Sequence, residues 1–168
     1  MKEGLCVLGL CKNLTNKVSQ NLATKLDMFY LDVDELVEYE LMNQAYIEEQ
    51  CGREYLLKLQ RKCVKRTLTF ENSLLTMNYS LLNDDIVLKN VKDKCLVVFI
   101  ELSKENYIKK EKYDKKNKLK NILETYIYDE RNLICKNIAD ICLNVNGLSY
   151  LQIANLIIKN LKEYYNNI

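Results

Sequence analysis

Short runs of apolar residues recur along the chain and predict five buried β-strands. Runs of this length, without polar alternation, are typical of strands that are covered on both faces, as in parallel sheets. They occupy residues 5–10, 28–31, 73–77, 95–100 and 139–145. Because the runs are separated by segments long enough for helices, the pattern favours parallel rather than hairpin connections.

Apolar residues at helical spacing fill the segments between these runs. The predicted helices cover residues 16–26, 34–42, 46–68 and 84–91, and a last helix is capped by Ser149. On this last helix one face is predicted to carry Leu151, Ala154, Ile158, Leu161 and Tyr165. The alternation of strands and helices predicts a single α/β domain over residues 1–168, with helices on both faces of a parallel sheet.

Composition narrows the range of functions without naming one. The chain has 168 residues, 48% of them apolar and 29% charged, which is typical of one globular domain. Lys and Arg number 25 and Asp and Glu number 23, so the net charge of +2 gives no case for a nucleic-acid partner. The chain contains no histidine, which excludes Ser-His-Asp triads, Cys-His proteases and Cys₂His₂ zinc sites.

The seven cysteines form no C-x-x-C pair, which argues against a zinc site or a disulfide framework. Cys6, Cys95 and Cys142 lie inside predicted strands, and we interpret the cysteines as small buried residues in the cytoplasm or another reducing compartment.

The first strand begins so early that we expect no signal or transit segment. The longest uncharged stretch, residues 141–158, carries too many amides for a membrane span.

In α/β folds of this kind the working crevice lies at the carboxyl ends of the strands. Residues 29–38 read F-Y-L-D-V-D-E-L-V-E, and residues 146–149 read N-G-L-S. Between them lie the pairs Glu130-Arg131 and Ala139-Asp140. These segments resemble the F-x-D-x-D-x-x-I-E, D-G-L-S, E-R and A-D motifs of the shikimate kinase family, part of the nucleoside-monophosphate-kinase-like P-loop group. The resemblance implies a three-layer α/β/α fold with a five-stranded parallel sheet of order 2-3-1-4-5. It also implies transfer of the ATP γ-phosphoryl group to the 3-hydroxyl of shikimate, with Mg²⁺.

The family's phosphate loop, G-x-x-G-x-G-K-[ST], falls on residues 9–16, where most of its residue types are missing. The resemblance implies cofactor-binding roles for a degenerate set of positions: Gly9, Lys12, Thr15, Asn16 and Lys17. Leu14 stands where a glycine belongs, and Thr15 stands where the lysine belongs. Removing one preorganised partner of this kind typically costs about 10²–10³ in rate. The segment is therefore either a plain strand-to-helix connection or a loop whose cation has moved to Lys12 or Lys17.

Asp32 and Asp34 close the second predicted strand, and a period of two puts both on one face. The resemblance implies that Asp32 supports Mg²⁺, the one candidate for a catalytic role, and that Asp34 holds substrate hydroxyls. Asp32 with Glu35 three residues later is also typical of a capping box for the next helix. Both interpretations stay open at this point.

The substrate pocket and the lid are also altered. Arg131 matches a family arginine that grips the substrate carboxylate, but Leu57 stands where a second one belongs. Met77 and Tyr79 stand where family glycines leave room for substrate. We expect Asp32, Asp34 and Arg131 to pair with each other or with Lys17.

The lid-like segment covers residues 104–130. Residues 104–120 have a net charge of +5, so the segment is either a basic lid, a contact surface or a solvated loop.

These losses favour a catalytically silent pseudokinase that acts as a binding or scaffolding module and needs no cofactor. Its partner would be an unidentified protein or a larger multi-enzyme polypeptide, with no nucleic acid and no membrane. The alternative is a divergent active shikimate kinase that uses Mg·ATP. A kinase of another small molecule is a third hypothesis.

Overall fold

The computed structural model describes residues 2–77, 79–110 and 118–166, and gives the main chain alone for residues 79–80 and 118–125. Five strands form one parallel sheet of order β2-β3-β1-β4-β5, as predicted. The strands are β1 (Gly4–Leu8), β2 (Phe29–Asp32), β3 (Ser73–Thr76), β4 (Cys95–Glu101) and β5 (Ile141–Asn144). Leu5 of β1 is in register with Leu74 of β3 and Leu96 of β4, so the three central strands start together.

Helices connect the strands and cover both faces of the sheet. They are α1 (Lys12–Leu26), α2 (Val33–Leu41), α3 (Gln44–Cys51), α4 (Arg53–Thr67), α5 (Tyr79–Leu82), α6 (Asp85–Lys94), α7 (Lys104–Lys110), α8 (Lys118–Ile138) and α9 (Tyr150–Asn166). Among the described residues, no helix is long and apolar enough to span a membrane.

Two apolar cores lie on opposite faces of the sheet because side chains alternate along each strand. On β1, Leu5 and Val7 join a core with α1 and α9, whereas Cys6 and Leu8 join a core with α2, α4, α6 and α8. The predicted three-layer α/β/α architecture is therefore confirmed.

Several predicted element bounds are wrong for identifiable reasons. The single helix predicted over residues 46–68 is two helices, because Gly52 has a φ of +85° and breaks the chain between α3 and α4. On α9 the buried face carries Ile153, Ala154, Ile157 and Leu161, while the predicted Leu151 and Tyr165 are exposed. Ser149 does cap α9: the Gln152 N–H donates to its hydroxyl at 3.4 Å.

The cysteines are mostly buried, as predicted, and all seven are free. Cys142 is an exception, since it lies on the edge strand β5 and is exposed. Burial raises the pKa of the Cys6 thiol well above its ordinary value, that of Cys95 to about 11 and that of Cys135 to about 12. These three thiols stay protonated at neutral pH and are not nucleophiles.

The start of the basic segment is docked on the fold. Tyr107 of α7 is buried, and its ring lies 5.3 Å from that of Tyr128 on α8. The Tyr128 hydroxyl donates to the Leu102 carbonyl at 2.5 Å. Residues 111–117 lie outside the described residues, so the lid-like segment over residues 104–130 stays a prediction.

The turn between α2 and α3 holds the backbone of one residue in an unfavourable conformation. Met42 ends α2 with φ +55° and ψ −89°, a region that residues with a Cβ rarely adopt. The other described non-glycine residues with positive φ are Asp27 and Asn72, whose short polar side chains tolerate it. Met42 is 81% exposed, so packing does not repay its strain.

We predict that Met42→Gly raises the free energy of unfolding by about 1 kcal/mol, because glycine removes the Cβ strain and only part of that gain is lost to chain entropy. Met42→Ala keeps the Cβ and is the matched control, with little change expected. Urea denaturation of both variants measures the difference. A loss of stability in the glycine variant would contradict the prediction.

Candidate functional site

A small cleft of about 70 Å³ lies at the carboxyl ends of the strands. It is lined by Gly9, Leu10, Lys12, Thr15, Asn16, Asp34, Thr76, Met77 and Arg131. The structure therefore brings together six of the predicted site residues from the β1–α1 connection, α1, α2 and α8. Asp32 lies beside the cleft, and Lys17 lies outside it.

The segment predicted as a phosphate loop is mostly helix. α1 begins at Lys12, four residues earlier than predicted, so only residues 9–11 connect β1 to α1. The Thr15 N–H donates to the Cys11 carbonyl at 3.0 Å and closes the first turn. A loop that wraps a phosphate presents successive N–H groups from non-helical backbone. Here the chain enters the helix before such a loop can form.

Thr15, which the resemblance aligns with the family lysine, has a structural role. Its side chain is buried, and its hydroxyl donates to the Cys11 carbonyl at 2.9 Å. A Cβ built on Gly9 would meet the Thr15 hydroxyl oxygen at 2.2 Å and a side-chain carbon of Ile100 at 2.9 Å. Close packing of Thr15 and Ile100 therefore requires glycine at position 9, whether or not a phosphate binds.

The Asp32 carboxylate is buried and both of its oxygens are engaged. Oδ1 accepts hydrogen bonds from the N–H groups of Asp34 and Glu35, at 3.1 and 3.2 Å, and so caps α2 as the capping interpretation predicts. Oδ2 accepts from the Asn16 amide at 2.8 Å and lies 3.8 Å from the Lys12 ammonium. The carboxylate thus ties α1 to α2.

These contacts do not fit a magnesium ion at Asp32. Mg²⁺ needs oxygen ligands, but Asn16 presents an N–H to the carboxylate and Lys12 already supplies a positive charge. In the part of the chain that the structure describes, no group of three or more Cys, Asp or Glu side chains could hold a metal.

The substrate side of the cleft is narrow. Met77, at the end of β3, is buried and lines the cleft, as expected from its place in the family's glycine run. Asp34 and half-buried Arg131 also line it. Leu57 is on α4 and is not among the lining residues. The Tyr79 side chain lies outside what the structure describes.

Lys17 is exposed and lines a second cavity of about 330 Å³. This cavity lies between the starts of α1 and α9, with Leu14, Lys110 and Ser149 among its lining residues. We expected Asp32, Asp34 and Arg131 to pair with each other or with Lys17; the ion pair that the structure gives Asp32 is with Lys12. Lys12 is one turn away from Asn16 on α1, and this spacing could have indicated that both reach Asp32.

Sequence reasoning also missed a pair of hydroxyl groups beside the cleft. Tyr30 of β2 and Thr76 of β3 lie on adjacent strands, two register positions apart, and their hydroxyl oxygens lie 3.2 Å from each other. Burial and the nearby carboxylates of Asp32 and Glu35 raise the pKa of Tyr30, although its hydrogen bond to Thr76 lowers it. The phenol therefore stays neutral.

Comparison with solved structures shows the same fold over nearly the whole chain. The shikimate kinase from Acinetobacter baumannii in complex with shikimate has a TM-score of 0.80 at 15% identity, with 98% of this chain and 95% of that chain covered. The shikimate kinase from Aquifex aeolicus has a TM-score of 0.79 at 22% identity, with 96% and 98% covered. The shikimate kinase from Bacteroides thetaiotaomicron has a TM-score of 0.75 at 14% identity, with 95% and 98% covered.

No curated protein sequence matches the chain. The family model described as "Shikimate kinase" matches residues 16–162, which leaves the connection from Gly9 to Thr15 outside the match. Since the match covers most of the chain and agrees with the fold, the chain belongs to the shikimate kinase family.

Proposed function

We propose that this chain is a non-catalytic member of its family that acts as a binding or scaffolding module. The observation that carries the proposal is the internal use of the crevice's polar groups. Asp32 is bonded to Asn16 and to the start of α2, and it is paired with Lys12. Groups that would have to hold a ligand therefore hold the fold together instead.

The size of the cleft supports the same conclusion. Sites for small molecules usually enclose about 300–1,000 Å³, whereas this cleft encloses about 70 Å³. Met77 takes up part of the space on the substrate side. Binding shikimate or the ATP phosphates here would require the cleft to open and its internal bonds to break.

One observation favours the alternative, a divergent active kinase. Lys12, Asp34 and Arg131 line a single cleft, so a cation, a carboxylate and a guanidinium are close to where the family's chemistry takes place. In that case Lys12 would take over the phosphate-binding role and would have to leave Asp32. Nucleotide binding separates the two hypotheses.

We expect Asp32→Ala to lower the free energy of unfolding by about 2–4 kcal/mol, since it removes a helix cap and leaves buried donors unsatisfied. Lys12→Ala, which removes a partly exposed ion pair, should cost less than about 1 kcal/mol. Thermal or urea denaturation measures both. Equal, small losses would mean that Asp32 has no structural role and remains available for a ligand.

Mg·ATP should bind no more tightly than about 1 mM, or roughly −4 kcal/mol, because Thr15 gives no cation to the phosphates. Isothermal titration calorimetry tests this directly. A low-micromolar titration would overturn the non-catalytic role. Lys12→Ala and Lys17→Ala, titrated side by side, would then identify the lysine that replaces the family's.

Added shikimate should leave the melting temperature of the parent chain unchanged, because Met77 narrows the pocket. Arg131→Ala should lower the melting temperature whether or not shikimate is present. Arg53→Ala is the control, because it removes only an exposed ion pair with Glu48 and should have little effect. If shikimate stabilised the parent chain and this gain disappeared in Arg131→Ala alone, the pocket would be functional and the active-kinase hypothesis would hold.

A further inference from the structure

A second, larger cavity lies at the amino ends of the strands, at the opposite end of the sheet from the cleft. It encloses about 530 Å³ between the starts of β1, β2 and β3 and the carboxyl-terminal parts of α1 and α9. This volume is within the range of about 300–1,000 Å³ that is usual for small-molecule sites. We call it the amino-end cavity, and its apolar lining is formed by Leu5, Leu26, Met28, Ile158, Leu161 and Tyr165.

The floor of the amino-end cavity is the apolar core that joins the sheet to α1 and α9. Leu5 and Leu161 belong to this core, and Leu26, Met28 and Ile158 are half-buried side chains that pack against it. Protein interiors are normally packed without gaps of this size. A hydrocarbon chain that entered the cavity would extend the core and remove these side chains from water.

Three charged residues line the amino-end cavity, and two of them are paired within the chain. The Lys2 ammonium donates to the Asp140 carboxylate at 2.8 Å, and the Glu3 carboxylate lies 3.8 Å from the Lys94 ammonium. The third is Lys162 of α9, which is exposed and forms no ion pair with another residue that the structure describes. Its long stem can lie on the apolar lining while its ammonium stays at the mouth of the cavity.

The end of α1 beside the cavity leaves this positive charge in place. Asp27 caps α1, but its side chain is exposed and does not line the cavity. Free carbonyls at a helix end repel anions. Here the Ala23 carbonyl accepts from the N–H groups of Asp27 and Met28, and the Asp27 carbonyl accepts from the Asn72 amide at 2.7 Å.

We propose that the amino-end cavity binds a single fatty-acid chain, with the hydrocarbon tail on the apolar lining and the carboxylate at Lys162. The tail is selected by the apolar lining, and the head group is selected by charge complementarity with the unpaired ammonium. The site is at the other end of the sheet from the cleft, so the proposal does not depend on the non-catalytic role proposed above.

Isothermal titration calorimetry of the full chain with saturated fatty acids of about six to about fourteen carbons tests the tail. Each added CH₂ should tighten binding about three- to fourfold until the cavity is filled, and further lengthening should add nothing. Decylamine tests the head group, because it has the length of decanoate and the opposite charge. It should bind about fivefold more weakly than decanoate, or weaker still.

One pair of variants on α9 tests the contact with the carboxylate. Lys162→Gln should weaken decanoate binding about two- to fivefold, the size of one exposed ion pair, and should bring the affinities of decanoate and decylamine closer together. Lys159→Gln is the matched control, because it removes an exposed pair with Glu163 outside the lining and should leave the affinity unchanged.

A second pair of variants tests the cavity itself. Ile158→Phe fills part of the space and should weaken decanoate binding about tenfold or more without lowering the melting temperature. Leu151→Phe changes an exposed leucine in the first turn of α9, outside the lining, and should have no effect on binding. Leu26→Phe fills the cavity from α1 and replaces Ile158→Phe in the test if that variant does not fold.

The proposal is overturned if no fatty acid binds, if affinity does not rise with chain length, if decylamine binds as tightly as decanoate, or if a control variant weakens binding as much as its counterpart. Sedimentation with vesicles of phosphatidylcholine and phosphatidylglycerol separates a free fatty acid from a membrane surface. The protein should stay in the supernatant, and pelleting that Ile158→Phe abolishes would overturn the single-chain ligand. Tight binding of Mg·ATP would overturn the non-catalytic role and leave the amino-end cavity unaffected.

Discussion

A buried carboxylate must be surrounded by donors, and Asp32 meets this requirement entirely from its own chain. Two N–H groups of α2, the Asn16 amide and the Lys12 ammonium converge on it. The carboxylate thereby fixes where α1 and α2 begin relative to the end of β2. The width of the cleft follows from this, because Lys12, Asn16 and Asp34 all take their positions from those two helices.

The sheet does not depend on that cleft. Its central strands β1, β3 and β4 are buried on both faces by apolar side chains, and two separate cores attach the helix layers. Hydrophobic burial is roughly proportional to area and does not require particular polar residues, so the fold tolerates wide change at the strand ends. This explains how a chain can keep the family's architecture with TM-scores near 0.8 at sequence identities of 15–22%.

The sheet was predictable from sequence because double-sided burial leaves a plain pattern of apolar runs, and its order came from the resemblance. The break at Gly52 between α3 and α4 was not predictable from apolar spacing. Leu56 and Cys63 form an apolar stripe at helical spacing, but this stripe does not indicate at which residue α4 begins. The early start of α1 at Lys12 was also not predictable from apolar spacing, since its first turn is closed by the Thr15 N–H and hydroxyl bonds to the Cys11 carbonyl. For Asp32 the sequence left a helix cap and a metal ligand open. The cap is visible only in the structure, where the Asp34 and Glu35 N–H groups, the Asn16 amide and the Lys12 ammonium surround the carboxylate.

The contact between Thr15 and Gly9 also bears on how such a protein changes over evolutionary time. A lysine at position 15 would lose the hydrogen bond to Cys11 and would have to leave the space between Gly9 and Ile100, so this single substitution would disturb the first turn of α1 before it gained any phosphate. Substitutions that share a contact do not add independently. Placing a lysine at position 15 therefore requires several changes at once, and the present arrangement is easier to keep than to replace.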